Sequence, residues 1–238
     1  MALGILRNHE APYFFFDYSQ LGMDDISYCC EKLSQQERLY ADSLLCGRDL
    51  YVATRASLRI ILEKIFNIHP NILVSEYGKP YTTNIACEFN VSHSKSAALI
   101  VLGGPVPVGA DLEFIHNAPD LIEVSQLAFH ESEKATFSES GYLNEVFYRI
   151  WVRKEAALKA EGLGIIEGPS RYYLEERAPD YFGLYRDNGD TGEGISIMSI
   201  SLNQGYIGAL AAANCPLNFR EVKLNIPRDL FISGLFGK

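Results

Sequence analysis

Apolar and polar positions along the chain repeat one order twice: a strand, a helical stretch, then strands. Alternation over residues 13–17 predicts an early strand. Ser34-Gln35-Gln36-Glu37 has the capping-box pattern, a hydroxyl at the cap and a carboxylate three residues on. The helix it opens is expected to stop at Gly47. Leu50, Leu58, Ile61, Leu62 and Ile65 recur at helical spacing and predict a second helix over residues 49–67. Arg48, Arg55 and Arg59 fall near one stripe of it and read as a solvated face, with Arg59 pairing Glu63. Residues 77–81 read as a turn, and residues 89–92 and 97–102 as two strands around a short Ser92-His93-Ser94 loop. A strand over 106–113, a mostly helical stretch over 121–138 and a strong helix over 145–161, closed by Gly162, follow. Segments 172–174, 181–185, 195–202 and 206–213 complete a β-rich end, with turns at Asn188-Gly189 and Gln204-Gly205.

This pattern predicts an α+β protein of two similar, mainly antiparallel α/β lobes, residues 1–105 and 106–217, followed by a loose tail over 218–238. The halves share no visible sequence identity, so any repeat is one of architecture.

Composition narrows the class. A chain of 238 residues, 47% hydrophobic and 12% aromatic, can bury a core without staples and is too apolar for disorder. Five cysteines, with no CxxC and no zinc spacing, read as reduced, buried thiols of a cytoplasmic protein. The N-terminus has no signal-peptide pattern, and the longest apolar stretch, residues 97–110, is broken by Gly103, Gly104, Pro105 and Pro107, so no membrane span is expected. The net charge of −9 argues against a nucleic-acid binder. That charge is uneven: residues 1–110 hold 9 Lys/Arg against 11 Asp/Glu, and residues 111–238 hold 12 against 19.

Two patterns in the second half point to chemistry. In Gly109-Ala110-Asp111-Leu112-Glu113 a strand puts both carboxylates on one face, opposite Val108, Ala110 and Leu112. Paired carboxylates suit a hard divalent cation, and Gly109 on the same face is expected to let a ligand approach the backbone. On the later helix Trp151, Glu155 and Lys159 share a face at i, i+4 and i+8. Glu155 can add a third carboxylate, leaving Lys159 to meet an anion. In the first half, His93 between two serines could donate to a phosphate together with Ser92. His9, His69, His116 and His130 have no partner pattern.

Together these motifs resemble one family, the two-lobed, Sfp-like 4′-phosphopantetheinyl transferases. Its Gly-x-Asp-x-Glu strand is similar to Gly109–Glu113, and its Trp-x-x-Lys-Glu-x-x-x-Lys helix to Trp151-Val152-Arg153-Lys154-Glu155-Ala156-Ala157-Leu158-Lys159. Gly78-Lys79-Pro80, Phe89-Asn90-Val91-Ser92-His93-Ser94 and Gly162-Leu163-Gly164 stand in the family's order. Ala110 departs from the usual Val or Ile, on the core side of the strand. The resemblance implies a fold of two pseudo-twofold-related lobes with the active site between them. It implies transfer of the phosphopantetheine arm of coenzyme A to a serine of an apo acyl or peptidyl carrier protein, releasing adenosine 3′,5′-bisphosphate, as in holo-[acyl-carrier-protein] synthases. By matching positions Asp111, Glu113 and Glu155 would hold Mg²⁺, or Mn²⁺ in its place. Lys159 would contact the attacked phosphate, and Glu155 would be the family's candidate base. Arg38, Lys79, Ser92, His93 and Lys159 would meet coenzyme A, with Arg48, Arg55 and Lys154 as weaker candidates. A monomer is expected, since two internal lobes can complete one site, and apolar residues over 121–137 could receive the carrier. Two rivals stand beside this reading: a non-catalytic coenzyme A- or carrier-binding scaffold of the same fold, and a serine hydrolase using Ser92 or Ser94 with His93 and Asp111. The second is disfavoured, because adjacent side chains on a strand point apart and no nucleophile elbow is present.

Overall fold

A computed structural model describes residues 9–76, 78–162, 168–186 and 194–223. The two predicted rounds are present with matching order. The first runs β1 (Glu10–Asp17), α1 (Met23–Lys32), α2 (Gln35–Ser43), α3 (Arg48–Phe66), β2 (Ile72–Val74), β3 (Pro80–Thr82), β4 (Glu88–Ser94) and β5 (Ala97–Gly104). The second runs β6 (Val108–Phe114), α4 (Leu121–Ala128), α5 (Glu131–Glu139), α6 (Asn144–Glu161), β7 (Tyr172–Ala178), β8 (Tyr181–Arg186), β9 (Ile195–Ser201) and β10 (Tyr206–Ala213). The strand order repeats too: β1-β5-β4 in one sheet and β6-β10-β9 in the other, the second extended by β8 and β7.

Layering follows from which faces are apolar. Phe14, Phe16, Ile100 and Leu102 of the first sheet pack on Leu58, Ile61 and Leu62 of α3. The opposite face, with Leu99 and Val101, packs on Val108, Ala110, Leu112 and Leu210 of the second sheet. The outer face of that sheet, with Ile197, Ala209 and Ala211, packs on Val152, Ala156 and Leu158 of α6. The order is helix, sheet, sheet, helix, and β5 and β10 are buried along their whole length.

The repeat reaches individual side chains. Glu37, at the third position of α2, accepts from the Ser34 backbone N–H at 2.8 Å and from Arg59 Nε of α3 at 2.6 Å, and Arg59 also donates to Pro70 O. Glu133, at the same position of α5, accepts from the His130 backbone N–H at 2.9 Å and from Lys154 Nζ of α6 at 2.5 Å, and Lys154 also donates to Tyr172 O. In each lobe a capping carboxylate, a cation of the long helix and a carbonyl at or near the start of the next strand form one buried cluster.

Several expectations are corrected. Gly47 does not close α2, which ends at Ser43; it opens α3 with a left-handed backbone, φ 72°. Arg59 is buried and pairs with Glu37, not Glu63, and Arg55 is largely buried beside the same carboxylate, so of the arginine stripe only Arg48 is at the surface. His93 and Ser94 belong to β4, and the turn falls on Lys95 and Ser96. Residues 218–221 are not a loose tail: Asn218–Glu221 forms β11, parallel to β1, because Leu217 and Phe219 reach the core between the sheets. Residues 224–238, the Asn188-Gly189 turn, and Leu163 and Gly164 lie outside the described residues. Of the free cysteines Cys29 and Cys87 are buried, whereas Cys46 is exposed. Among the described residues no helix is long and apolar enough to cross a membrane.

Candidate active site

The site forms where the edge strands β4 and β6 meet. Asp111 and Glu113 point from β6 toward α6, as the period of two requires. Gly109 is on the same side, but no ligand can use the space: a Cβ there would lie 1.9 Å from Ala156 O. Glycine at this position lets the α6 backbone rest on β6, which brings Glu155 and Lys159 beside the two carboxylates.

Asp111 is almost fully buried, and its Oδ1 accepts from Lys159 Nζ at 2.5 Å and from Ser92 Oγ at 3.0 Å. Its Oδ2 is buried with no hydrogen-bond partner. Burial pushes the Asp111 carboxyl above its usual range, against the pull of Lys159 and the hydrogen bonds. Glu113 is pushed up by burial and by the charge of Asp111, although Ser94 Oγ donates to its Oε2 at 2.9 Å. Glu155 is pushed up by burial and by both carboxylates, against the ammonium of Lys159. Three carboxylates and one ammonium leave a net negative charge in a partly dry place. In donor type the group fits a hard cation: all oxygen, with one orphaned buried acceptor. Among the described residues, however, no three His, Cys, Asp or Glu side chains converge closely enough to hold a metal ion as they stand.

A cleft of about 710 Å³ opens on the α3 side of β4. Tyr40, Tyr51, Thr54 and Arg55 of α2 and α3 form one wall, the β2–β3 hairpin with Gly78 and Pro80 the other, and Val91 and His93 the floor. Arg55 Nε lies 3.5 Å from Glu37 Oε1, and Arg55 Nη1 is buried without a hydrogen-bond partner. The His93 ring is open to solvent at the cleft yet recessed among protein on its other sides. That recess, with the charges of Lys159 and Arg55, lowers its pKa below the ordinary histidine value. His93 therefore faces the cleft, near enough to Lys159 to feel its charge, while Ser92 and Ser94 on the other side of β4 meet the carboxylates.

The remaining candidates divide. Lys79 sits in the hairpin turn beside the cleft wall, 3.9 Å from Glu88. Ser92 faces β6 instead of the cleft; its hydroxyl donates to Asp111 and accepts from Leu112 N–H, so it is not free to meet a phosphate. Because Ser92 and His93 point to opposite sides of β4, the triad of the hydrolase reading does not form. Arg38 is exposed and donates to Leu33 O, outside the cleft lining. Arg48 pairs with Asp42 and Asp49 at the surface, also outside that cleft. Lys154 is buried in the Glu133 cluster and cannot reach a ligand. Trp151 is half-buried and stacks on Phe147 at 5.9 Å. Sequence reasoning missed Tyr40, Tyr51 and Thr54, and missed Asn90 as a partner of β6; the period-two run of small polar residues Asn90, Ser92 and Ser94 carried the signal for the last.

Comparison with known proteins gives the same direction. The family model described as the 4′-phosphopantetheinyl transferase superfamily matches residues 107–197. The 4′-phosphopantetheinyl transferase gsp of Aneurinibacillus migulanus is 29% identical over 189 residues, 76% of this chain and 77% of that protein. The 4′-phosphopantetheinyl transferase HetI of Nostoc sp. is 31% identical over 144 residues, 57% of this chain and 60% of that protein. For several such relatives, the match spans only about three fifths of their length. Among solved structures, the Thermotoga maritima holo-[acyl-carrier-protein] synthase aligns over 46% of this chain and 64% of its own, at 20% identity and a TM-score of 0.37. Over β6, α6 and the following strands, and in its identity with these relatives, the chain is similar to 4′-phosphopantetheinyl transferases.

Proposed function

We propose that the protein transfers the 4′-phosphopantetheine arm of coenzyme A to a serine of an apo acyl or peptidyl carrier protein. One observation carries the reading: β6 and α6 place Asp111, Glu113, Glu155 and Lys159 against one side of β4, whose other side presents His93, beside Arg55, to the cleft. In this reading the cleft takes the nucleotide end of coenzyme A. Arg55 Nη1, buried without a partner, and His93 supply donors for its phosphates. Lys79 lies along the same path. Asp111, Glu113 and Glu155 would hold Mg²⁺, which when bound neutralises the pyrophosphate oxygens.

The chemistry asks for alignment and charge more than for a strong nucleophile. The carrier serine oxygen forms a bond to the phosphorus that bears the pantetheine arm. The bond from that phosphorus to the bridging oxygen breaks, and adenosine 3′,5′-bisphosphate leaves with the electron pair. Lys159, held by Asp111 and only partly exposed, donates to the phosphoryl oxygens where charge grows. The serine proton leaves to Glu155 or to a water beside it. Ile122 and Leu127 are exposed on α4 and support a carrier contact over residues 121–137.

The test is direct. The protein, coenzyme A, Mg²⁺ and an apo carrier are mixed, and the carrier is weighed by mass spectrometry. A gain of one phosphopantetheine, lost with EDTA and lost in Asp111→Ala, is expected. No gain across acyl and peptidyl carriers, with coenzyme A still bound, would establish the scaffold reading instead.

A further inference from the structure

The edges of β4 and β6 are joined by side chains where backbone hydrogen bonds would join two strands of one sheet. Asn90 Oδ1 accepts from Ala110 N–H at 3.1 Å, Ser92 Oγ from Leu112 N–H at 3.2 Å, and Ser94 Oγ from Phe114 N–H at 3.1 Å. Each step of two along β4 meets a step of two along β6. The residue types differ by rung in a way that the neighbouring position explains. A hydroxyl accepts and donates at once. Ser92 donates its proton to Asp111, and Ser94 donates its proton to Glu113, in each case the residue just before the N–H that the hydroxyl accepts. Asn90 meets the rung preceded by Gly109, where no carboxylate waits.

We infer that Ser92 and Ser94 are positioning residues, which fix the orientation of Asp111 and Glu113 by the same contacts that lock the first lobe onto the second. This rests on the reading of those carboxylates as cation ligands. Neither serine touches substrate; each acts through the carboxylate it holds. Aiming matters because, as they stand, the three carboxylates do not converge closely enough to hold an ion. A Glu113 free to turn to solvent would have to be ordered by the ion itself, at a cost in affinity.

Half-buried Ser94 gives the cleaner variant. Thermal melts of the whole protein are followed in EDTA and against rising Mg²⁺, with Mg²⁺ alone as the probe. Ser94→Ala is expected to raise the Mg²⁺ concentration for half-maximal stabilisation about tenfold, the scale of one hydrogen bond to a charged acceptor, and Ser94→Thr to restore it to within about twofold. Asn90→Ala, which removes a rung without a carboxylate, is expected to lower the EDTA melting temperature and leave that midpoint unchanged. A wild-type midpoint in Ser94→Ala, no rescue by threonine, or an equal shift in Asn90→Ala would overturn the proposal. A wild-type protein that Mg²⁺ does not stabilise at all would overturn the cation reading itself, and the positioning role with it.

Discussion

Gly109 shows how one missing side chain places a site. A Cβ would meet Ala156 O at 1.9 Å and Ala160 N at 2.6 Å, both backbone atoms of α6. Backbone cannot turn aside as a side chain can, so Gly109→Ala must push α6 off β6. The expected loss is about 3 kcal/mol or more in urea unfolding, the upper range for overpacking, and transfer activity should fall further than the folded fraction does. His93 makes the second prediction at this scale. Its lowered pKa means that, near the ordinary histidine value, the unfolded chain binds more protons than the folded one. Stability of the free protein should therefore fall as pH drops from about 7 toward 5, the range of histidine titration. An anionic ligand favours the imidazolium and reverses the sign, so coenzyme A should bind more tightly as pH falls through that window. Titration calorimetry at several pH values checks this. In His93→Gln both slopes should flatten, and an unchanged binding slope would remove His93 from the ligand contacts.

Among the elements, the two capping clusters decide what Lys154 does. It stands beside Glu155 in the motif, which made it a candidate ligand contact, yet its ammonium is spent on Glu133 and Tyr172 O. Removing one member of a buried pair costs about 3–5 kcal/mol, because the other charge stays behind. Lys154→Met should show that loss, and Glu133→Gln in the same chain should recover part of it, since the amide oxygen can still accept from His130 or Leu174 N–H. Coenzyme A affinity of the folded Lys154→Met protein should stay at the wild-type value; a clear drop would return Lys154 to the site. These clusters also show what the sequence discloses. The capping box of α2 was legible because a Ser and a Glu three apart announce it, and α6 because its apolar repeat is long and ends in Gly162. The partner of Glu37 was not legible: Arg59 lies 22 residues away, and only the packing of α2 on α3 selects it over nearby Glu63. Helix α1 escaped notice because its cap, Gly22, has no side-chain acceptor and Cys29 is its one buried residue. That Asp111, Glu113, Glu155 and Lys159 lie beside one another was legible from strand and helix periods. The role of Ser92 was not, because its neighbour His93 suggested a loop, while the strand alternation sends the serine to β6 and the histidine to the cleft.

For the whole molecule, the question is whether two halves that repeat each other are separable bodies. The sequence placed a boundary at residues 105 and 106. The core between the sheets crosses it: Leu99 and Val101 of β5 pack with Val108, Ala110 and Leu112 of β6, all fully buried. The chain also returns, since β11 follows the second lobe in sequence yet pairs with β1 of the first. The first half alone would expose the apolar inner face of β5 and lose the strand beside β1, and apolar area removed from water is the main favourable contribution to folding. The lobes should therefore unfold together. In urea, fluorescence of Trp151, the single tryptophan, reports the second lobe, and amide exchange along β5 reports the first. Both are expected to give one midpoint and one unfolding free energy, and residues 1–105 expressed alone should not show a cooperative transition. Two separated transitions, or a folded fragment, would mean that the shared core contributes little and that the serine rungs between β4 and β6 join independent domains. One transition means that the first-lobe cleft and the second-lobe carboxylates are held in one fixed relation on either side of β4 before a ligand arrives, at no cost for docking the lobes on each turnover.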